Sequence, residues 1–312
     1  MEYILLVIGF VLLIKGADFF VDGASSIAAK LKVPSLIIGL TVVSMGTSMP
    51  EAAVSISASL SGSNEISLGN VVGSNIFNLL VVVGISSIVL PIVSDRDILK
   101  RDMPLSIAIT GVLFFMLLDG YLSRPEAAIL LVLFAGYMFL LIRSALKHRT
   151  EETEQKTMTW ARSLIVSVLG AAAIIGGGQL VVESAKTIAA NLGMGETLIG
   201  LTVVACGTSL PELVTSIVAA RKGDSGIAMG NVVGSNIFNI LFILGLAGVI
   251  SPMTADSAFF IDTGILIAVS LMMLVFALTR KKTGRLEGAI STLAYVAYTA
   301  YIIMRAFHIW IF

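Results

Sequence analysis

Ten stretches of mostly apolar residues, each about as long as a bilayer is thick, fill almost the whole chain. They run roughly over 3–24, 36–60, 66–92, 103–119, 125–146, 161–185, 197–220, 226–250, 258–279 and 286–308. A helix rises about 1.5 Å per residue, so about 20 residues cross the hydrocarbon core. Hydrophobic residues make up 57% of the 312 and charged ones only 13%. A soluble fold of this size carries about 25% charged residues and exposes too much of its surface to hide so many apolar ones. The apolar runs lack the period-2 alternation of a membrane barrel, so the spans read as helices. The first run, MEYILLVIGF, has an acidic start and no cleavage site, and reads as a span instead of a signal peptide.

Lys and Arg alternate between the connections. One set of loops holds Lys30 and Lys32, then Arg96, Lys100 and Arg101, then Arg143, Lys147, Arg149, Lys156 and Arg162, then Arg221 and Lys222, then Arg280, Lys281, Lys282 and Arg285. The other set holds Arg124, Lys186 and Arg305. The positive-inside rule therefore places both termini outside, in a multi-pass protein of the inner or plasma membrane. Zero net charge gives no basic surface for a nucleic-acid partner, and one cysteine gives no disulfide framework. No nucleophile–base pair or HExxH pattern is present, which argues against an enzyme.

The chain also repeats itself, without gaps, at an offset of 161. Gly39–Glu51 reads GLTVVSMGTSMPE and Gly200–Glu212 reads GLTVVACGTSLPE, identical at 10 of 13 positions. Gly69–Leu79 reads GNVVGSNIFNL and Gly230–Ile240 reads GNVVGSNIFNI, identical at 10 of 11. The expected organisation is a five-helix unit at 1–146, a cytoplasmic linker at 147–160 and a second five-helix unit at 161–312. Five is odd, so the second unit enters the membrane from the other side. The expected fold is an all-α polytopic membrane protein of ten transmembrane helices, arranged as two inverted five-helix repeats with broken helices at the site where they meet.

Both matches are unusually polar for mid-membrane sequence. Thr47, Ser48, Glu51, Ser74, Asn75 and Asn78 lie in one half, and Thr208, Ser209, Glu212, Ser235, Asn236 and Asn239 in the other. An ionisable side chain at a helix centre costs about 2.5–3.5 kcal/mol on insertion scales, which marks Glu51 and Glu212 as functional. Pro50 and Pro211 each remove a helical hydrogen bond and clash with the carbonyl four residues back, at Gly46 and Gly207. Breaks are therefore expected over Gly46–Pro50 and Gly207–Pro211. No Lys or Arg occurs from 33 to 95, from 187 to 220 or from 223 to 279, so the carboxylates have no basic partner nearby in sequence. Carboxylates, hydroxyls, amides and carbonyls together suit a hard cation, and Ca²⁺ takes about 6–8 oxygens. Two carboxylates neutralise one Ca²⁺ or two Na⁺.

The remaining features read as structural. GxxxG at Gly69–Gly73 and Gly230–Gly234, with Gly176–Gly178, predicts close helix packing. Lys15 and Asp18 are spaced to pair along the first helix, and Asp18, Asp22 and Glu183 read as interfacial. Cys206 stands where the first half has Met45, so no obligatory thiol role is expected.

GTSMPE and GTSLPE, each followed by GNVVGSNIFN, resemble the two repeats of the cation/Ca²⁺ antiporter superfamily, most closely its prokaryotic sodium/calcium exchangers. The resemblance covers essentially the whole chain. It implies four ion sites between the halves, lined by Glu51 and Glu212, by Thr47, Ser48, Thr208 and Ser209, and by Ser74, Asn78, Ser235 and Asn239. Ser44 and Ala205 match positions whose backbone carbonyls contribute to sodium binding. Some relatives carry an Asp where this chain has Asn239, so the site here holds two carboxylates in the repeat motifs instead of three. The implied function is exchange of Na⁺ for Ca²⁺ by alternating access, by a monomer in the lipid bilayer, with no cofactor and with Na⁺ and Ca²⁺ as transported ions. An H⁺/Ca²⁺ or other divalent antiporter is the alternative within the same architecture, and a passive cation channel the alternative outside it.

Overall fold

The structure is a computed structural model that describes residues 1–147, 158–194, 203, 205–255 and 257–307. In chain order the helices are α1 (Glu2–Leu31), α2 (Ser35–Thr47), α3 (Met49–Leu60), α4 (Asn64–Val89), α5 (Ile98–Asp119), α6 (Arg124–Lys147), α7 (Trp160–Asn191), α8 (Ala205–Thr208), α9 (Leu210–Arg221), α10 (Ser225–Ile250), α11 (Ser257–Arg280) and α12 (Arg285–Ala306). Among the described residues eight helices are long and apolar enough to cross a membrane, or nine when the bent pair α2–α3 counts as one span. The expected span over 197–220 begins in residues outside the described set and continues as α8 and α9. The expected linker falls mostly outside it too, between the end of α6 and the start of α7.

The expected chain breaks occur at a single residue each. Ser48 leaves helical geometry (φ −83°, ψ 9°) between α2 and α3, which are bent by 50°. Ser209 does the same (φ −92°, ψ 7°) between α8 and α9. Pro50 and Pro211 fall in the first turns of α3 and α9, where a missing N–H costs nothing because helix-starting donors have no intrahelical partner.

The two helices that carry the GNVVGSNIFN motif lie at the centre of the bundle. In the most apolar windows of α4 and α10, 83% and 78% of residues are buried, against 17% for α6 and for α12. Each core helix has one wide π-type turn, opening at Asn78 in α4 and at Asn239 in α10. Such turns interrupt the regular ladder and recur at functional positions.

The long helices α1 and α7 pack antiparallel, with Gly9 against Gly177, Gly16 against Gly170 and Gly23 against Ser167. The backbones approach so closely that a Cβ on Gly16 would lie 2.9 Å from the Gly170 carbonyl oxygen, and one on Gly177 would lie 2.8 Å from that of Gly9. The Gly230–Gly234 pair of α10 meets α2 in the same way, at Leu36, Gly39 and Leu40, as the GxxxG spacing predicts, whereas the matching Gly69–Gly73 pair of α4 makes no such close approach among the described residues.

Two short antiparallel ribbons between spans went unforeseen. β1 (Ile92–Val93) pairs with β4 (Lys282–Thr283), and β2 (Tyr121–Leu122) pairs with β3 (Met253–Thr254). Each joins a strand of one half to a strand of the other. Two residues are too few for any period-2 pattern to register.

Candidate cation site

Glu51 and Glu212 lie in the first turns of α3 and α9, just past the two breaks, and both are fully buried. Each carboxylate is held by a serine from the opposite half. Ser48 Oγ donates to Glu212 Oε1 at 2.8 Å, and Ser209 Oγ donates to Glu51 Oε1 at 2.9 Å. The break puts each serine one turn from its own half's carboxylate while its hydroxyl reaches across, so the two acids are electrostatic neighbours. Among the described residues neither forms an ion pair with Lys or Arg.

The second oxygens, Glu51 Oε2 and Glu212 Oε2, have no hydrogen-bond partner. Neither do Asn78 Oδ1, Asn239 Oδ1, Ser74 Oγ or Thr208 Oγ1, all buried. A buried polar atom left unsatisfied costs about 1–3 kcal/mol, and more when charged. Six such oxygens come from the two repeated motifs. No three His, Cys, Asp or Glu side chains come together among the described residues, and the polar groups around the two carboxylates are hydroxyls, amides and carbonyls. That is the donor set of a hard ion.

The other predicted residues surround this set. Thr47 Oγ1 donates to Asn231 Oδ1 at 2.9 Å, and its side chain adjoins Glu212 as that of Thr208 adjoins Glu51. Ser235 Oγ lies 3.4 Å from the Ser44 carbonyl oxygen and 3.5 Å from Glu212 Oε1. The Ser44 carbonyl also accepts from Ser48 N at 3.0 Å, so it sits at the break but is already engaged. Ala205 opens α8, and its side chain lies outside the described set.

Four asparagines join α4 to α10. Asn75 Nδ2 donates to the Asn236 carbonyl at 3.1 Å and Asn236 Nδ2 to the Asn75 carbonyl at 3.2 Å. Asn78 Nδ2 donates to Asn236 Oδ1 at 3.1 Å and Asn239 Nδ2 to Asn75 Oδ1 at 3.0 Å. Two further asparagines were missed in the sequence. Asn70 Nδ2 donates to the Glu51 carbonyl (3.2 Å) and Ser55 Oγ (2.9 Å). Asn231 Nδ2 does the same to the Glu212 carbonyl (3.3 Å) and Ser216 Oγ (3.0 Å). Their identity in both repeats was the available signal, but polar residues near the motif start read equally well as surface.

One expected contact is corrected. Asp18 does not pair with Lys15. Lys222 Nζ takes it instead, at 3.6 Å from Asp18 Oδ1 and 2.6 Å from Asp22 Oδ1, because α9 ends beside α1. Glu183 pairs with Lys186 on its own helix at 3.0 Å. Cys206 Sγ lies 3.5 Å from Tyr295 Oη.

Comparison with known proteins identifies the family. The sodium/calcium exchanger protein family matches residues 1–143 and 162–304. The sodium/calcium exchanger MaX1 of Methanosarcina acetivorans is 37% identical over 340 residues, covering 95% of this chain and 97% of that one. The inner membrane protein YrbG of Escherichia coli is 35% identical over 308 residues, covering 95% of each. The solved structure of the sodium-calcium exchanger NCX_Mj, soaked with 10 mM Na⁺ and zero Ca²⁺, superposes with a TM-score of 0.85 at 33% identity, covering 96% of this chain and 98% of that one. The chain belongs to the sodium/calcium exchanger family of membrane transporters.

Proposed function

We propose that this chain exchanges Na⁺ for Ca²⁺ by alternating access, at a site built from Glu51, Glu212, Thr47, Ser48, Thr208, Ser209, Ser74, Asn78, Ser235 and Asn239, with the Ser44 and Ala205 carbonyls nearby. The observation that carries this reading is the pair of buried carboxylates at matched positions, each with one oxygen held across the repeat and the other free. Both Ca²⁺ and Na⁺ prefer oxygen ligands, and both are drawn to the same two negative charges. One Ca²⁺ or two Na⁺ balance those charges, so occupancy by one ion displaces the other. Competition for shared ligands is what couples the two fluxes. The C-terminal end of α2, negative by its backbone dipoles, points at the break and adds to the attraction for a cation.

The membrane arrangement follows the same reading. Ten spans form two inverted units, with both termini outside a cell membrane. In this reading α1 and α7, held backbone to backbone along their glycine seam, move as one unit against the core formed by α4 and α10. The proposed working unit is a monomer.

Reconstituted liposomes test the proposal. An outward-directed Na⁺ gradient is expected to drive ⁴⁵Ca²⁺ uptake, and the Glu51→Gln and Glu212→Gln variants are expected to lose it. Wild-type exchange in both variants would end the assignment. Uptake driven by a proton gradient in Na⁺-free medium would replace Na⁺ by H⁺ as the coupled ion. Unitary currents without any counter-ion would make the protein a channel.

A further inference from the structure

An asparagine is an ambiguous cation ligand. Its amide carries one oxygen and two N–H donors, and a half-turn about the terminal torsion exchanges them at little intrinsic cost. Only the oxygen attracts a cation. A site that uses asparagine must therefore fix which end faces the ion.

This chain has a device that does so, and it begins at groups that cannot be inverted. The backbone carbonyl of Asn236 only accepts, so Asn75 must meet it with Nδ2, at 3.1 Å. That leaves Asn75 Oδ1 pointing at Asn239, which can meet it only with Nδ2, at 3.0 Å. Asn239 Oδ1 is then left free and buried. The mirror chain starts at the Asn75 carbonyl, which accepts from Asn236 Nδ2 at 3.2 Å. Asn236 Oδ1 takes Asn78 Nδ2 at 3.1 Å and leaves Asn78 Oδ1 free. All four side chains are at most 2% exposed, so water offers no competing partner.

We propose that Asn75 and Asn236 are positioning residues: each turns the amide of the opposite repeat's asparagine, Asn239 and Asn78 respectively, so that oxygen and not nitrogen meets the transported cation. This inference rests on the exchange reading above. It goes beyond that reading by giving a role to two residues outside the ligand set and by fixing a crossed pattern of dependence.

The test is a pair of double-mutant cycles, read as the KM for Ca²⁺ in Na⁺-gradient-driven ⁴⁵Ca²⁺ uptake. Asn75→Ala frees the Asn239 amide to present its NH₂, and is expected to raise KM about tenfold, the worth of one oriented polar contact, with a smaller change in maximal rate. In an Asn239→Ala background no amide remains to orient. Adding Asn75→Ala there is expected to leave KM where Asn239→Ala alone puts it. With Asn78→Ala, which Asn75 does not orient, the two effects are expected to multiply. Asn236→Ala should give the converse, merging with Asn78→Ala and multiplying with Asn239→Ala. Residues in contact couple in stability whatever their role, so the crossing supports positioning where it appears in KM and is absent from the melting temperatures of the same variants; a crossing in melting temperature with additive KM overturns it. Multiplicative effects in both cycles, with wild-type exchange intact, overturn the positioning role alone. Wild-type vesicles without Na⁺-dependent uptake overturn the exchange reading and this inference together. Thermal unfolding of each purified variant monitors the fold, and a variant that fails to fold leaves the mirror cycle to read the same coupling.

Discussion

The two halves agree residue for residue at the carboxylates and disagree at the periphery. At the site, Ser48 and Ser209, Glu51 and Glu212, Asn75 and Asn236, and Asn78 and Asn239 are identical pairs making reciprocal contacts. The staples that tie the fourth and fifth long helices of each half are matched only in kind. In the first half Arg101 pairs with Asp102 at 2.8 Å on its own helix and donates to Ser144 of α6 at 2.8 Å. In the second, Arg305 stands on α12 in the place of Ser144 and reaches Asp262 of α11 at 2.8 Å. A staple needs only opposite charges within reach, from either side. The serine–carboxylate and asparagine contacts need particular atoms at particular places, and each is made between the two repeats. The chemistry that is shared keeps its residues, and the chemistry that is merely local does not.

The ends differ more. Asp224 caps α10 by accepting from Ile227 N at 3.0 Å, and also accepts from Ser25 Oγ (3.1 Å) and Ser35 Oγ (2.8 Å). With the Lys222–Asp22 pair it ties α1 and α2 to the α9–α10 corner. The equivalent positions in the first half are Ser61 and Ser63, and Ser63 does not cap α4. Across from them Glu183 spends its charge on Lys186 of the same helix. α1 is tethered to the α9–α10 corner, and α7 lacks the same tether among the described residues.

The comparison can be broken most decisively at the acids. Glu51→Gln and Glu212→Gln are expected to weaken Ca²⁺ exchange about 100-fold or more each, since ligand charge sets affinity for hard cations. Equal losses in liposome uptake support the equivalence of the halves, whereas one tolerant position breaks it. Arg305→Leu is expected to cost about 2 kcal/mol of stability by leaving Asp262 without its partner, while the Ca²⁺ KM stays at the wild-type value. A thermal melt beside an uptake curve separates the two, and a changed KM would make the staple part of the site. Ser48→Ala and Ser209→Ala each remove one charge-assisted hydrogen bond and are expected to raise KM about tenfold, to similar extents. A several-fold difference between them would show that the symmetry is geometric but not energetic. Lys222→Gln has the smallest expected effect, below about 1 kcal/mol for a half-exposed pair. It is expected to change the maximal rate up to about threefold with KM constant, and a shift in KM alone would place Lys222 in binding and not in motion.

Much of this was legible in the residues. The apolar runs and the 161-residue offset required a membrane and a duplicated unit, and the two uncompensated acids are buried as their place in the repeats suggested. Pro50 and Pro211 located both breaks to within a few residues, because a missing N–H and a steric clash act locally in any context. The rest of the proposed ligand set came from family likeness. The Lys15–Asp18 pair failed for the opposite reason. Spacing along one helix says which residues could meet, but not that Lys222, some two hundred residues away, lies nearer. The β ribbons were invisible because two residues carry no period.

The sequence by itself determined the solvent, the number of repeats and the chemical class of ligand, since hydropathy, identity at a fixed offset and the absence of a basic partner are properties of a linear string. Only the tertiary structure decided how the atoms are used. It brought Ser48 to Glu212 and Ser209 to Glu51, turned four amides by their partners, and left six oxygens without one. Hydrogen-bond polarity is settled by which groups face each other across the interface between halves, and no one-dimensional pattern encodes a facing.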